Sequence, residues 1–482
     1  MQNYYQFIIP RLNGEDIKRD LRKHLSLVRK GIAGFIIFGG RLREVRRLLK
    51  HLQEEARLPL IIASDLERGL GQQLRGGTLF PPAMALARAV RPDPSKALSQ
   101  RKLRLLRQAF AAVAGEARYA GINTVLAPVL DINTNPDNPI IGVRAFGEDS
   151  DTAGFFGTEM ISTLQGNGIA ACGKHFPGHG DTQIDSHISL PSIDRSLRSL
   201  SRQELVPFRQ AMAAGVQMLM LGHLKVPALD PSGLPVSISS PAVAYIRKSM
   251  KYRGILITDA MNMGGLSRYS EERACSMALQ AGVDLLLHPL NTEKVAAYLR
   301  RQKQDYQTDR IRNFRKGLLR SPDTERPAFI ENTRLSEELT GTAITISRDL
   351  RLGRNIFLLI ISDEKSRKGQ VFLKTLRTGL PQLRSAVLIP GADGSGRLPS
   401  PEKDCTVITA LFSETRAWKG NTGLWLTQTI RSVQDRTSLF ISFGNPYLLN
   451  DVQDAGKMLV YWDSDAAQIK AAEKVLRCVS RR

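Results

Sequence analysis

Cysteine is scarce in this chain, and long apolar runs are absent. Such scattered cysteines, with no Cys-x-x-Cys pair, argue against both a structural zinc site and a disulfide framework. No apolar run approaches the roughly 18 residues that a membrane span needs, and the N-terminus lacks the basic segment and apolar core of a signal peptide. We therefore expect a cytoplasmic protein without a membrane span. The cysteines among the 482 residues are Cys172, Cys275, Cys405 and Cys478.

Motifs of nucleotide and metal sites are also missing. The sequence has no Gly-x-x-x-x-Gly-Lys-Ser/Thr loop for phosphates and no Gly-x-Gly-x-x-Gly after the first predicted strand. It has no His-Glu-x-x-His pattern either, which is the helical zinc motif of many proteases. We therefore expect neither a bound cofactor nor a bound metal.

Acidic residues are outnumbered: 46 Asp and Glu face 68 Lys and Arg, which gives a net charge of +22 and a pI near 10.1. A pI this high is typical of proteins that bind nucleic acid or membrane surfaces. The basic residues, however, are spread along the chain, and the densest patch (300–320) has only Tyr306 and Phe314 as aromatics, which make no stacking platform. We expect a basic solvated surface and no specific nucleic-acid partner. An anionic substrate, or a host whose proteins are generally basic, is the alternative explanation.

The most informative stretch is Lys174-His-Phe-Pro-Gly-His-Gly-Asp-Thr-Gln-Ile-Asp-Ser-His187, which we call the histidine loop (174–187). It contains three of the seven histidines and two aspartates among Pro177, Gly178 and Gly180. Imidazole and carboxylate groups on a glycine-bent loop provide what proton transfer near neutral pH requires. The alternative, a polar surface loop with chance histidines, is disfavoured by this concentration of titratable groups.

Short apolar runs alternate with longer amphipathic segments over the first 290 residues. Continuous apolar strands separated by helices indicate a parallel sheet covered on both faces. Seven or eight such units predict an α/β fold of the (β/α)8 TIM-like barrel type, and an open doubly wound sheet is the alternative. The predicted strands are 34–38, 58–64, 124–130, 169–172, 217–221, 255–258 and 283–287, and the predicted helices include 42–52, 102–119, 152–165, 202–214 and 271–281.

A second, smaller α/β unit follows the barrel in the sequence. Residues 321–340 contain two prolines and mixed charge, which is typical of a linker. We predict a barrel domain at 1–320, a linker at 321–340 and a C-terminal α/β domain at 341–482. The strands predicted in the last domain are 355–362, 385–389, 405–411, 438–443 and 458–461.

Polar residues follow the predicted barrel strands at the point where each strand ends. In a TIM barrel this C-terminal rim carries the active site, because the loops after all the strands converge there. The polar residues at these positions are Asp65, Glu67, Asp131, Lys174, His175, His223, Asp259 and His288.

The histidine loop closely resembles the signature Lys-His-Phe-Pro-Gly-His-Gly-Asp-Thr…Asp-Ser-His of glycoside hydrolase family 3, specifically its β-N-acetylglucosaminidase branch. The resemblance covers roughly residues 5–300 and extends weakly to Ser442-Phe-Gly-Asn-Pro-Tyr447, which implies a C-terminal α/β sandwich domain. Further family motifs follow in order: Asn123-Thr-Val-Leu-Ala-Pro-Val-Leu-Asp131, Asn138-Pro-Ile-Ile-Gly-Val-Arg-Ala-Phe-Gly-Glu-Asp149, Met218-Leu-Met-Leu-Gly-His223 and Ile257-Thr-Asp-Ala-Met-Asn-Met263.

The resemblance implies a catalytic set. Asp259 is similar to the nucleophile that traps the sugar covalently in retaining enzymes. His187 resembles the general acid/base of this branch, oriented by Asp185, and an imidazole can both give and take a proton near its pKa of about 6.5. The alternatives are an N-cap role for Asp259 and a purely structural Asp-His turn in the loop.

The resemblance also implies the groups that bind the sugar. Asp65, Arg144 and the adjacent Lys174 and His175 match the family's sugar-binding residues, and Asp131 its supporting residue at the rim. His223 is either another wall residue or a histidine held behind the wall, and His179 and Asp181 are assigned to the architecture of the loop. A metal on the loop histidines would compete with proton transfer.

Two positions depart from the family pattern. The arginine expected in the motif around Asp65 is Leu70, and Arg68 is a candidate to replace its charge. Val143 stands where the motif around Arg144 usually has an aspartate. Both changes touch the sugar-facing rim and therefore concern the choice of substrate more than the reaction.

Together these features predict a retaining exo-β-N-acetylglucosaminidase that acts on a small saccharide, such as an anionic muropeptide fragment in peptidoglycan recycling. A β-N-acetylglucosaminide phosphorylase or a β-glucosidase on the same scaffold is the alternative. A non-catalytic sugar-binding protein is the remote alternative, because every expected catalytic residue is present.

Overall fold

A computed structural model describes residues 2–91, 99–347, 350–363, 368–390, 405–414 and 424–480. Within this part, nine strands form one parallel sheet in the order β1-β9-β8-β7-β6-β5-β4-β3-β2. The strands are β1 (Ile8–Ile9), β2 (Arg11–Asn13), β3 (Gly34–Phe38), β4 (Ile61–Ser64), β5 (Thr124–Val125), β6 (Ala170–Phe176), β7 (Met218–Leu221), β8 (Ile255–Ala260) and β9 (Leu285–Leu287).

The sheet closes on itself through its irregular first strand. β1 pairs with β9, whereas β2 pairs with β3. Pro10 lies between them and interrupts the ladder because proline has no N–H to donate, although its carbonyl still accepts from the N–H of Ile36 at 3.0 Å. If β1 and β2 are counted as one interrupted strand, the barrel has eight strands, and the predicted (β/α)8 TIM-like fold is confirmed.

Helices alternate with these strands and cover the barrel. One difference from the prediction concerns 202–214, which was expected to be one helix but is divided at Gln203 between two. If one helix continued through Gln203, the ring of Pro207 would clash with the carbonyl of Gln203, four residues earlier. The helices are α1 (Ile17–Arg29), α2 (Leu42–Glu55), α3 (Ala83–Val90), α4 (Gln100–Ala120), α5 (Ser150–Gly166), α6 (Leu197–Arg202), α7 (Leu205–Ala213), α8 (Ser240–Ala244), α9 (Glu271–Ala281), α10 (Thr292–Gln302) and α11 (Asp309–Lys316).

The C-terminal region forms a second sheet, with the strand order β10-β15-β14-β13-β11-β12. The pairs are parallel except β10 with β15. Alternate residues of β11 belong to different apolar clusters, so both faces of the sheet are covered, as a sandwich requires. The strands are β10 (Thr345–Ile346), β11 (Ile356–Ser362), β12 (Arg384–Leu388), β13 (Thr406–Ser413), β14 (Leu439–Gly444) and β15 (Gly456–Leu459).

The helix α12 (Phe329–Ala343) connects the two sheets and occupies the second half of the predicted linker. Its Asn332 donates to buried Glu116 at 2.8 Å, and Ser336 donates to the carbonyl of Leu79 at 2.7 Å, so this helix is fastened to the barrel. The predicted domain boundaries stay a prediction. The remaining helices are α13 (Gln370–Gly379), α14 (Leu424–Val433) and α15 (Asp465–Cys478). In the described part of the chain, none of the helices combines the length and apolar character of a membrane span.

Candidate active site

A cavity of about 580 Å³ opens at the C-terminal ends of the barrel strands. Six of the residues expected at the site line it, whereas Asp131, Asp185 and His223 are not part of its wall. Side chains with no expected role also line it, among them Glu67, Arg11 and His288. The six expected residues are Asp65, Arg144, Lys174, His175, His187 and Asp259.

Four charged side chains form a network on one wall of the cavity. Lys174 Nζ lies 2.7 Å from Asp65 Oδ1 and 2.7 Å from Glu67 Oε1. Arg144 binds the same glutamate with two hydrogen bonds, Nη2 to Oε1 at 2.8 Å and Nε to Oε2 at 3.0 Å. Burial alone raises the pKa of Glu67, but Arg144 and Lys174 lower this pKa well below its ordinary value. The carboxylate therefore stays ionised and holds both cations in fixed positions.

His175 is held by the buried Asp131. Its Nδ1 lies 2.7 Å from Asp131 Oδ2, and Oδ1 accepts the backbone N–H groups of His175 at 3.1 Å and His179 at 2.8 Å. Burial raises the pKa of Asp131, but the charge and hydrogen bonds of His175 bring this pKa below the ordinary value. Asp131, expected at the rim, thus fixes the beginning of the histidine loop from behind.

The end of the histidine loop places His187 over the cavity. Asp185 Oδ1 lies 2.7 Å from His187 Nδ1 and accepts the backbone N–H of the same residue at 2.8 Å. The loop is docked to the segment after β8, because Gly264 N–H donates to the carbonyl of His187 and Gly265 N–H to that of Ser186, both at 3.0 Å. The Asp185 side chain is 1% exposed and that of His187 22% exposed. Of this pair, only the imidazole therefore reaches the cavity.

Asp259 lies near the end of β8 and lines the same cavity. Its Oδ1 accepts the backbone N–H of Ala260 at 2.7 Å. Burial raises the pKa of this carboxyl, but the surrounding His175, His223 and His187 outweigh burial and lower the pKa below its ordinary value. Asp259 is therefore an ionised carboxylate whose negative charge is stabilised by the histidines around it.

His223 lies behind this carboxylate and is completely buried. Its Nδ1 lies 2.7 Å from Ser237 Oγ, and its Nε2 lies 2.9 Å from the carbonyl of Ala260. Burial lowers the pKa of His223, so the ring is neutral at pH 7. Of the two roles considered for this residue, the geometry matches a histidine that supports the backbone next to Asp259.

His179 and Asp181 maintain the shape of the histidine loop. His179 Nδ1 lies 2.7 Å from Thr182 Oγ1, and its Nε2 lies 2.8 Å from Ser186 Oγ. Burial, followed by the charge of His175, lowers the pKa of His179 to about 4. Asp181 pairs with Arg195 at 3.1 Å, on the side of the loop that leads to α6. Although His179 lines the cavity, both of its ring nitrogens are engaged within the loop.

Arg68 does not take the position of the missing arginine. Leu70 is fully buried, and Arg68 donates from Nε to the carbonyl of Phe80 at 3.1 Å. Burial lowers the pKa of Arg68, and among the charges that oppose this shift Glu414 of the C-terminal region has the largest effect. Arg68 is therefore directed toward the second sheet and is not among the residues that line the cavity.

Glu67, His288 and Arg11 line the cavity without having been assigned a role from the sequence. Glu67 and His288 follow predicted strands, so their position at the rim was visible, but the pairing of Glu67 with Arg144 depends on the tertiary fold. Arg11 belongs to the short β2, which the apolar pattern did not reveal. Its guanidinium lies 4.8 Å above the ring of Phe38.

Comparisons with known proteins agree with this geometry. The family model described as "Glycosyl hydrolase family 3 N terminal domain" matches residues 4–311. β-Hexosaminidase A of Pseudoalteromonas piscicida is 30% identical over 285 residues, which are 54% of this chain but only 46% of that protein. The β-N-acetylglucosaminidase/β-glucosidase of Cellulomonas fimi is 27% identical over 455 residues, or 83% of this chain and 78% of that one.

A solved structure is similar over almost the whole chain. It is a family 3 β-N-acetylglucosaminidase from Paenibacillus sp. str. FPU-7, with a TM-score of 0.80, 25% sequence identity, and coverage of 99% of this chain and 96% of that one. The similarity therefore includes the second sheet as well as the barrel. Because the family model spans well over half of the sequence, the chain belongs to glycosyl hydrolase family 3.

Proposed function

We propose that this family member is a retaining exo-β-N-acetylglucosaminidase, which removes a terminal N-acetylglucosamine through a glycosyl-enzyme intermediate. The observation that carries the proposal is that Asp259 and His187 line one cavity together with Asp65, Arg144 and Lys174. The names of the β-hexosaminidase relatives support the choice of sugar. A carboxylate and an imidazole on one sugar-sized cavity match the two roles that retaining hydrolysis needs.

Asp259 is proposed as the nucleophile. Its lowered pKa keeps the carboxylate ionised at neutral pH, so one of its oxygens can attack the anomeric carbon. As the carbon–oxygen bond to Asp259 forms, the bond to the leaving oxygen breaks. The neutral His223 holds the neighbouring Ala260 carbonyl and so fixes the backbone from which this carboxylate projects.

His187 is proposed as the acid/base, and Asp185 as the residue that orients it. Asp185 engages Nδ1 at 2.7 Å, so proton transfer is assigned to Nε2. The imidazolium first protonates the leaving oxygen. The neutral ring then removes a proton from the water that attacks the anomeric carbon and releases Asp259. Asp185 stabilises the imidazolium and selects the tautomer, as the aspartate of a serine-protease triad does.

The remaining charged residues of the cavity are proposed to bind the sugar hydroxyls. Asp65 offers acceptor oxygens, and Arg144 and Lys174 offer donors, in a network that exists before substrate arrives. Preorganised groups of this kind lose little entropy on binding. His175, held by Asp131, completes this wall.

The proposal is tested with 4-nitrophenyl N-acetyl-β-glucosaminide. We expect the wild type to release nitrophenol and NMR to show that the first sugar product keeps the β configuration. Asp259→Asn, which has the same shape, should lower kcat by at least about 10⁴-fold, since covalent catalysis is lost. Activity of Asp259→Asn close to that of the wild type, or inversion at the anomeric carbon, would contradict the mechanism.

We further propose that the natural substrate is an anionic muropeptide fragment, which places the enzyme in peptidoglycan recycling in the cytoplasm. Arg11 supports this, because it lines the cavity over the ring of Phe38 and has no salt-bridge partner among the residues that the structure describes. An unneutralised guanidinium at a sugar site favours a carboxylate on the substrate. Arg11→Gln should lower kcat/KM for N-acetylglucosaminyl-N-acetylmuramic acid and leave that for neutral chitobiose unchanged; an equal effect on both would contradict this assignment.

β-Glucosidase activity is the second candidate, because the name of the Cellulomonas fimi relative includes it. Rates with 4-nitrophenyl β-glucoside and with the N-acetylglucosaminide, measured on one preparation, decide between them. Phosphorolysis is a variant of the same reaction, because a histidine acid/base adds no negative charge that repels phosphate. Formation of a sugar 1-phosphate when inorganic phosphate is added identifies it.

A further inference from the structure

A tyrosine of the second sheet reaches the loops of the active site. Tyr447 lies in the turn Pro446–Leu449 directly after β14, and the side chain of Asn445 begins this turn by accepting the N–H of Tyr447 at 3.0 Å. The Tyr447 hydroxyl accepts a hydrogen bond of 2.9 Å from Asn133 Nδ2. Asn133 belongs to the barrel, two residues after Asp131, and is 1% exposed.

Asn133 connects this tyrosine to the sugar-binding arginine. Asn133 Oδ1 accepts the N–H of Gly142 at 2.9 Å, and the Asn133 N–H donates to the carbonyl of Gly147 at 3.0 Å. These two contacts bracket the segment 142–147. The segment begins with the single helical turn Gly142–Arg144, and the guanidinium of Arg144 then reaches Glu67 in the cavity.

The hydroxyl of Tyr447 accepts a hydrogen bond from Asn133, and the negative charge of Glu148 acts on it as well. Burial raises the pKa of Tyr447, and Glu148 raises this pKa further, so the phenol stays protonated. One hydroxyl is thus joined to both ends of the bracketed segment through Asn133, which binds Gly142 and Gly147.

We propose that Tyr447 is a positioning residue, through which the second sheet fixes Arg144 for substrate binding. The role assigned to Arg144 rests on the proposed function. Without the hydroxyl, Asn133 Nδ2 keeps only its longer contact to the carbonyl of Asn135 at 3.2 Å, so Asn133 is held less firmly against the N–H of Gly142. The C-terminal region then contributes to the barrel site, because Arg144 is fully positioned only when this region is packed against the barrel.

The test is Tyr447→Phe, which removes the hydroxyl and keeps the ring. We expect KM for 4-nitrophenyl N-acetyl-β-glucosaminide to rise about 5-fold, as for one lost hydrogen bond, with kcat within about two-fold of the wild type. The matched control is Tyr252→Phe. This tyrosine is also buried and donates to the carbonyl of Val216 at 3.1 Å, but next to the beginning of β8, so KM should not change.

A double variant tests whether Tyr447 acts on Arg144 through Asn133. If Tyr447 acts through Asn133, then Tyr447→Phe added to Asn133→Ala should raise KM no further than Asn133→Ala alone. Fully additive effects, or a KM for Tyr447→Phe equal to that of the wild type, overturn the inference.

Hydrogen exchange separates this inference from the proposed function. Mass spectrometry of the segment 140–147 needs no substrate, and Tyr447→Phe should exchange faster there than both the wild type and Tyr252→Phe. If Tyr447→Phe exchanges faster but the wild type has no glycosidase activity, the proposed function is refuted and the positioning role stands. Unchanged exchange would refute the positioning role even if the enzyme is active.

Discussion

Replacement of Glu67 by glutamine is the sharpest test of how the cavity is held together. Within the part of the chain that the structure describes, Glu67 is the one carboxylate that contacts both Arg144 and Lys174, through three contacts of 2.7–3.0 Å. Glu67→Gln keeps the shape of the side chain and removes its charge. It also replaces one acceptor oxygen by an NH₂ group, which cannot accept from either cation.

The size of the effect follows from burial. Removal of one partner from a buried ion pair costs about 3–5 kcal/mol, and the side chains of Glu67 and Lys174 are 9% and 3% exposed. Two features reduce this free-energy cost. Lys174 keeps its ion pair with Asp65, and the Arg144 side chain is 27% exposed and therefore partly hydrated. We expect the free energy of unfolding to fall by roughly 2–3 kcal/mol. The value of kcat/KM should fall about 100-fold, or roughly 2.7 kcal/mol, because both sugar-binding cations lose their anchor.

The chain offers a matched control on its surface. Glu15 also binds an arginine with both oxygens, at 2.5 and 2.8 Å from Arg75, but its side chain is 46% exposed and that of Arg75 59%. Exposed pairs of this kind contribute little, so Glu15→Gln should leave unfolding and activity unchanged. Urea unfolding and steady-state kinetics on both variants provide the comparison. Wild-type stability and kcat/KM in Glu67→Gln would refute the view that this glutamate anchors the sugar-binding wall.

Three further outcomes follow from the histidine loop. Asp185→Asn should lower kcat roughly 10³-fold with little change in KM, because it changes the tautomer of the acid/base and Asp185 does not line the cavity; a changed KM with normal kcat would contradict this. Gly264→Ala would place a Cβ 2.3 Å from the carbonyl oxygen of Ile188, so the loop must shift and kcat should fall at least about 10-fold. The control is Gly115→Ala, where the added Cβ meets open space and kcat should not change. The pKa of His179 is lowered to about 4 in the folded protein, against about 6.5 in an unfolded chain. Between these two values only the unfolded state binds the proton. The free energy of unfolding therefore falls as pH decreases through this window, by up to roughly 3 kcal/mol. Urea midpoints at pH 7 and 4.5 should therefore differ less in His179→Gln than in the wild type, and an equal difference would contradict the assignment.

The fold could be predicted from the sequence wherever apolar runs were continuous. The strand 34–38 and the helix 271–281 have the expected bounds. The strand predicted at 124–130 ends early at Val125, since Pro128 cannot donate to the ladder. The strands β1, β2 and β10 have only two or three residues each, and their pairing depends on the neighbours that the fold brings to them.

The candidate site was predictable to a similar degree. Motifs placed Asp65, Arg144 and Lys174 on one rim, and the structure brings them into one cavity. The sequence pattern drew attention to the missing arginine at Leu70 and to Arg68 as its replacement. A local pattern cannot reveal that Arg68 is directed toward the second sheet or that Glu67 joins two loops, because both depend on segments distant in sequence.

The distribution of charge in the cavity explains why Asp259 is suited to attack a sugar. Of the carboxylates that line the cavity within the described residues, Asp65 and Glu67 are neutralised by fixed cations, whereas Asp259 has no salt bridge and accepts only a backbone N–H. The surrounding histidines lower the pKa of Asp259 and so stabilise its ionised form, but no described cation forms a salt bridge with it. A carboxylate locked to lysine or arginine would be a poor nucleophile, since attack requires that ion pair to break. Among these three carboxylates, the one at position 259 alone combines ionisation with the freedom to form a bond, and this difference in pairing separates the proposed nucleophile from the proposed sugar-binding groups.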